Sequence, residues 1–223
     1  MPTSVELVDT VAAALHWERT EVFHHARNLR EAGLVTKGGR GITAPQMNLL
    51  DAANLICAVL AARRVKESSE AAKGLAGLKG VRRAFRITQN TALHYYGLID
   101  HNGLLRLKAG HNVQEGMAAL LDLFAREDEL KAEWAERLKL NWASHAMDAE
   151  LTAIFMVYYP KYYASISVQM EGVFSESWTY SLPRTRKQKG TSHKEGPSWK
   201  SAGCNERALR KIAKDFGVAG DRG

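Results

Sequence analysis

The order of apolar and polar positions predicts helices through most of the chain and a β-hairpin near its end. Over much of the first 140 residues, apolar side chains recur every three or four positions, the period of an amphipathic α-helix. Beyond residue 163 the period changes to two, with apolar residues at Ala164, Ile166, Val168 and Met170. We therefore predict a mainly α protein with a small β element.

Two short helices joined by a tight connection are predicted within residues 8–42, followed by a glycine-rich, basic ribbon. The first helix has an apolar face formed by Val8, Val11, Ala12 and Leu15. The second helix has an apolar face formed by Val22, Ala26 and Leu29. Gly33 follows the last of these residues and is expected to end the second helix.

This stretch resembles the winged helix-turn-helix of bacterial and phage DNA-binding proteins. The resemblance covers residues 1–45 and rests on the Ala12–Trp17–Val22–Leu29 spacing and the ending LREAGLVTKGGRG. It implies that the second helix lies in the major groove of DNA. Pro45 leaves only residues 41–43 for the second strand of the wing, so the wing is expected to be short.

The outward positions of the second helix suit DNA recognition. Arginine can bind guanine O6 and N7 and asparagine can pair with adenine, so Arg19, Arg27 and Asn28 are predicted to read base edges. The full set of predicted DNA-binding residues is Arg19, Thr20, His24, Arg27, Asn28, Lys37 and Arg40. The alternative is a helical hairpin that buries its apolar faces and touches no DNA.

Four further helical segments are predicted between the N-terminal helices and the hairpin. Residues 46–62 are apolar around most of the helix and should be buried on several sides. Residues 68–85 form a weaker helix, which the glycines at 74, 77 and 80 would break in two. Residues 112–140 form the longest helix, with a capping box from Asn112, and residues 144–159 form another helix or a helix followed by a loop.

The hairpin is predicted over residues 163–181. A three-residue loop, Glu171-Gly172-Val173, would put both apolar sets on one face. Met170 would then lie opposite Phe174, and Ile166 opposite Trp178. A lone hairpin is marginal in water, so its aromatic face needs a cover, and a second copy of the chain is one candidate.

Composition and charge favour a polyanionic partner. The 223 residues are 45% hydrophobic, which is ample for a core, and carry a net charge of +7 with a pI near 9.4. We predict a DNA-binding domain over 1–45, a helical oligomerisation domain over 46–182 and a flexible basic tail over 183–223. The tail is expected to contain a short terminal helix over residues 205–216, capped by Asn205. Residues 183–201 are expected to be a flexible linker that adds salt-dependent affinity for nucleic acid. Its predicted phosphate contacts are Arg184, Arg186, Lys187 and Lys189.

A second basic run, Arg63-Arg64-Val65-Lys66, follows the apolar helix. It would complement the negative end of that helix, and phosphate contact is the alternative interpretation.

Other kinds of chemistry have little support in the sequence. No phosphate loop, nucleophile elbow or zinc-protease motif is present, so we expect no enzyme, although an enzyme that uses the N-terminal motif for targeting is an alternative. His94, His101 and His111 lack metal-site spacing, so we expect no metal, and we assign no cofactor. Two cysteines, no signal peptide and no apolar run of membrane-spanning length favour a cytoplasmic protein.

Together these features predict a homo-oligomeric protein that binds double-stranded DNA. A bacterial or phage transcriptional regulator is the first interpretation. The alternative is a phage DNA-packaging subunit, because the order of parts is similar to that of small terminases. A dimer would favour the regulator, and a large ring would favour the packaging subunit.

Overall fold

A computed structural model describes residues 1–38, 44–87, 105–108, 110–138, 150–159, 163–170, 174–182 and 200–217. These residues form a mixed α/β fold, with more strand than the predicted small β element. The α-helices are α1 (Ser4–Leu15), α2 (Arg19–Glu31), α3 (Leu49–Ala61), α4 (Ser68–Ala76), α5 (Val113–Ala125), α6 (Glu127–Leu138) and α7 (Glu206–Gly217). The strands are β1 (Lys79–Ile87), β2 (Leu151–Tyr159), β3 (Tyr163–Met170), β4 (Phe174–Ser181) and β5 (Lys200–Asn205).

The five strands form one antiparallel sheet in the order β1-β4-β3-β2-β5. Helices α3, α5 and α7 cover its inner face, and the buried side chains of helices and sheet form one hydrophobic cluster. The outer face carries mostly hydroxyl-bearing and amide side chains along β3 and β4. This alternation is what a sheet with one buried face requires.

The predicted hairpin is confirmed as β3 and β4. Met170 lies opposite Phe174 and Ile166 lies opposite Trp178, and all four side chains are buried. Helices of the same chain cover this aromatic face. The aromatic hairpin face therefore gives no reason to expect a second copy of the chain.

Helix α3 also finds its partners within the chain. Ten of its residues are buried, because it packs against α2, α4, α5 and the sheet. The helix begins later than predicted, at Leu49, since the side chain of Asn48 caps it and Asp51 completes a capping box. Pro45 lies before the helix and is not part of its first turn.

The prediction of a helix over residues 68–85 is wrong in its second half. Helix α4 ends at Ala76, and β1 follows from Lys79. β1 pairs along its length with β4, which supplies backbone hydrogen bonds that outweigh local helical propensity. Gly80 lets His111 approach β1 closely, because a Cβ atom at Gly80 would lie 2.6 Å from His111 Cε1.

The predicted helix over residues 144–159 is also wrong where the structure describes it. Residues 151–159 form β2, which lies between β3 and β5. Leu151, Ala153, Phe155 and Val157 alternate with more exposed residues, so LTAIFMVYY has the period of two that is typical of a strand.

The long helix predicted over residues 112–140 is two helices. Asn112 caps the first through the predicted box with Glu115. The helix stops at Arg126, whose backbone leaves the helical region (φ −112°, ψ 16°), and α6 begins at the next residue.

Residues 200–217 belong to the folded core. Lys200 and Ser201, predicted to lie in a flexible linker, begin β5, and Cys204 is buried rather than in a polar tail. Asn205 accepts a hydrogen bond from the backbone N–H of Ala208 and so caps α7, as predicted. Helix α7 packs against α1 and α5. A truncation at residue 184 would therefore remove part of the core.

Candidate nucleic-acid interface

Helices α1 and α2 are joined by a tight connection of residues 16–18. His16 adopts a left-handed conformation (φ 56°), and its backbone N–H donates to the carbonyl of Ala12. The N–H of Trp17 donates to the same carbonyl at 3.0 Å. This closure ends α1 and lets α2 begin at Arg19.

Gly33 ends α2, as predicted. It has a φ of 72°, which favours glycine. The N–H of Leu34 donates to the carbonyl of Leu29 at 2.9 Å, and the N–H of Gly33 donates to that of Arg30 at 3.1 Å. This is a Schellman motif, and it directs the chain away from the exposed face of α2.

The predicted DNA-binding residues divide into three groups. Five are exposed: Arg19, Thr20, His24 and Arg27 on α2, and Lys37 after it. Asn28 is half-buried, and Arg40 lies outside the described residues. The opposite face of α2 is packed into the core through Val22, His25 and Leu29.

The two exposed arginines predicted to read bases each have an acidic neighbour. Arg19 pairs with Asp9 at 2.5 Å, and Arg27 pairs with Glu31 at 2.8 Å. All four side chains are about half exposed or more. Pairs of this kind contribute about 0–1 kcal/mol, so a phosphate or base edge can replace the carboxylate at little cost.

Asn28 makes a contact within the protein. Its Nδ2 donates to the backbone carbonyl of Val65 at 2.7 Å. This N–H of the amide is thereby bonded to the segment between α3 and α4. No periodicity in the sequence indicated this, because the two residues are far apart along the chain.

His25 reaches the same part of the chain. Its Nδ1 lies 2.8 Å from Ser68 Oγ, and the Ser68 hydroxyl donates to the Val65 carbonyl. A hydroxyl has one proton, so His25 must donate from Nδ1, which fixes its neutral tautomer. Burial, with a smaller effect from His24, lowers the pKa of His25 from 6.5 to about 4.

These contacts hold a cluster of cations beside α2. The turn that joins α3 to α4, residues 62–67, carries Arg63, Arg64 and Lys66, all exposed. We call it the basic turn. Its carbonyl at Val65 accepts both the Asn28 amide and the Ser68 hydroxyl.

The other flank of α2 carries the segment expected to form the wing. Buried Asp51 accepts hydrogen bonds from the backbone N–H and the hydroxyl of Thr36, both at 2.8 Å. Asn54 Nδ2 donates to the Leu34 carbonyl at 2.8 Å. These contacts attach residues 34–36 to α3 and so place Lys37 near α2.

Between this segment and α2 lies a cleft of about 500 Å³. Its lining includes Phe23 and Arg30 from α2. The described residues flanking 39–43 contain no strand, only an isolated bridge between Thr3 and Gln46. The second wing strand, predicted over 41–43, and the four tail cations Arg184, Arg186, Lys187 and Lys189 lie outside the described residues.

The described histidines do not form a metal site. No group of three or more histidine, cysteine, aspartate or glutamate residues that could hold a metal ion occurs in the described ranges. His111 is buried against Tyr180, while His94 and His101 lie outside those ranges. No described helix is long and apolar enough to cross a bilayer.

The chain was compared with family models, with curated proteins and with solved structures, and none of them matches it.

Proposed function

We propose that this protein binds double-stranded DNA through the exposed face of α2, in the manner of a helix-turn-helix regulator. The observation that carries the proposal is the division of α2 into two faces. Core residues occupy one side, and Arg19, Thr20, His24 and Arg27 occupy the other. A short helix held this way by a tight connection can enter a major groove about 12 Å wide.

The charge around α2 supports a polyanion as the partner. The basic turn adds three exposed cations on one flank, and Lys37 adds one on the other. The exposed ion pairs of α2 are weak enough to open, so both arginines can be recruited. Arg19 and Arg27 remain the proposed base-reading residues, and Asn28 is no longer among them.

A transcriptional regulator is preferred to a DNA-packaging subunit. A packaging subunit similar to small terminases would be expected to close a β element between copies, whereas the five described strands form one sheet within a single chain. Light scattering distinguishes the two functions, because a dimer would favour the regulator and a large ring the packaging subunit.

The test begins with selection of bound sequences from random duplex DNA. Replacing Arg19 and Arg27 together with alanine should cost about 1–3 kcal/mol per base contact and relax the selected sequence at those positions. The matched control is R207A/K211A, two exposed cations on α7. Equal affinity of the α2 variant and the parent for the selected duplex would refute the proposal.

A further inference from the structure

We propose that the basic turn is a phosphate clamp and that Asn28 and His25 are the positioning residues that hold it against the reading helix. This inference rests on the proposed function. It changes the role of Asn28 from a base reader to a support, and it adds Arg63, Arg64 and Lys66 to the DNA interface.

The first observation is that one carbonyl of the turn is held from two directions. Val65 accepts the Asn28 amide at 2.7 Å and also the hydroxyl of Ser68, which in turn accepts from His25. His25 and Asn28 are three positions apart and therefore lie on the same side of α2. Two adjacent side chains of the reading helix thus fix one short segment.

The second observation is that the hydrogen bonds hold only the backbone of the turn at Val65, while the cationic side chains on either side of it are exposed. Val65 is half-buried, whereas Arg63, Arg64 and Lys66 are exposed. The N–H of Glu67 donates to the Arg64 carbonyl at 2.9 Å, which closes the turn. The three cations exceed the single acid within the turn, Glu67, so the turn carries an excess of positive charge.

The third observation concerns where the turn lies relative to the exposed face of α2. Asn28 follows Phe23 by five residues, which places their side chains about 140° apart around the helix. Asn28 faces the basic turn, and Phe23 faces the cleft beside Lys37. Arg27 lies between them.

This placement matches the geometry of duplex DNA. A helix in the major groove has a phosphate backbone on each side of it. With Arg27 directed at the bases, the basic turn faces one backbone and the segment that carries Lys37 faces the other. Phosphate contacts of this kind fix the register of a protein on DNA without reading its sequence.

The competing explanation is that the cations only complement the negative end of α3. That effect falls off within the last turn of a helix, and α3 already ends at Ala61 with Ala62 extended. The two explanations differ in what they predict. A helix-end effect appears in stability, while a phosphate clamp appears in the salt dependence of DNA binding.

The first experiment compares R63A/R64A/K66A with the control R207A/K211A/K214A on the selected duplex at several salt concentrations. Each lost phosphate contact should reduce the slope of log affinity against log salt by about 0.9. We expect the slope to fall in the turn variant and not in the control. The preferred sequence should be unchanged, and denaturant unfolding should give parental stability.

The second experiment uses N28L, which removes the amide donor, keeps a similar side-chain volume and adds no charge. Loss of the bond to Val65 should weaken binding to all sequences equally and lower the salt slope. If N28L instead relaxes preference at a single base position, Asn28 reads that base and the positioning role is wrong.

The outcomes separate this inference from the function on which it rests. If R19A/R27A loses binding while R63A/R64A/K66A keeps the parental affinity and salt slope, the clamp is wrong and the reading helix stands. If the parent binds no duplex, the proposed function fails first. A loss of stability in the turn variant with an unchanged slope would assign the cations to the end of α3.

Discussion

The outer face of α2 and the inner face of the sheet carry similar side chains, which are exposed on α2 and buried at the sheet. Each combines histidine, an aromatic ring and hydrogen-bonding groups. At the sheet, His111, Trp178, Tyr180 and Glu176 are buried between α5 and the strands. On α2, the corresponding groups are mostly exposed and carry an excess of cations.

Within the buried cluster, hydrogen bonds and ring contacts surround His111. Its Nδ1 donates to the carbonyl of Lys108 at 2.8 Å, which leaves Nε2 to accept from the Tyr180 hydroxyl at 2.9 Å. Trp178 packs edge-on against the imidazole with 4.6 Å between ring centroids, and its Nε1 donates to Glu176. Such a cluster defines the packing of the sheet.

The comparison shows that solvent exposure decides whether a polar side chain bonds within the chain or can bond to a ligand. Inside the core an unmade hydrogen bond costs about 1–3 kcal/mol, so most of the described buried polar groups are hydrogen-bonded within the chain, and Gln114 Oε1 is an exception. At the surface of α2 the pairs are worth less than this and can be exchanged for a ligand. Asn28 and His25 lie at the boundary between the core and the exposed face of α2. Their polar atoms bond within the protein, Asn28 to Val65 and His25 to Ser68.

The largest expected effect lies in the buried cluster. A Cβ atom at Gly116 would lie 2.1 Å from the Tyr180 hydroxyl oxygen, so G116A should destabilise the fold by about 2–4 kcal/mol. Helix propensity alone predicts the opposite, a gain of up to about 1 kcal/mol. Denaturant unfolding measures the difference.

A double-mutant cycle with Y180F tests the cause. Removing the hydroxyl should relieve the clash, so G116A/Y180F should be more stable than the sum of the single changes predicts. Additive effects would show that Gly116 is required for another reason.

The next effect is a loss of folding stability at low pH, caused by His25. Its pKa is lowered from 6.5 to about 4, so the unfolded chain takes up a proton first as the pH falls. The stabilisation is present above pH 6.5 and is lost toward pH 4, by on the order of 3 kcal/mol. His111, whose pKa burial also lowers, contributes in the same direction.

The variant H25N isolates the first contribution, because asparagine retains an N–H donor for Ser68 but does not titrate. Urea unfolding of the parent and H25N should show a stability difference that narrows as the pH falls from 7 to 4. A difference that stays constant with pH would assign the acid sensitivity to other groups.

A smaller effect is expected from the cations between β4 and β5. Changing Arg184, Arg186, Lys187 and Lys189 to serine should weaken DNA binding equally for all sequences and flatten the salt dependence. Serine substitutions are preferred to a deletion of residues 184–223, because the deletion would also remove β5 and α7. An unchanged salt slope would show that these side chains do not contact phosphate.

The smallest effect concerns the thiol reactivity of Cys57 and Cys204, which tests whether both side chains are buried. Cys57 and Cys204 are free and buried, and burial raises the pKa of both thiols, that of Cys204 to about 12. Neither should react with a thiol reagent in the folded protein, and both should react after unfolding. Rapid labelling of the native protein would indicate local opening of β5 or α3.

Local patterns were sufficient to predict part of this structure. The β3–β4 register followed from alternation and loop length, and the Asn112 capping box and the Gly33 helix end followed from short motifs. These features depend on residues close together in the sequence. The exposed positions of α2 were predicted for the same reason.

The errors arose where distant parts of the chain decide the structure. Residues 79–87 become a strand because β4 is available as a partner, and residues 151–159 because β3 and β5 flank them. At the candidate interface, the contact of Asn28 with Val65 joins two elements across the fold, and no spacing within either element encodes it.

The most direct test of the central claim is to map the duplex on the protein. Backbone amide shifts would be recorded by NMR while the selected duplex is added. We predict that the changes concentrate in residues 19–31 and 62–67, and that the buried cluster around His111 and the outer face of the sheet are unaffected. Changes confined to the strands, with α2 unperturbed, would contradict the account.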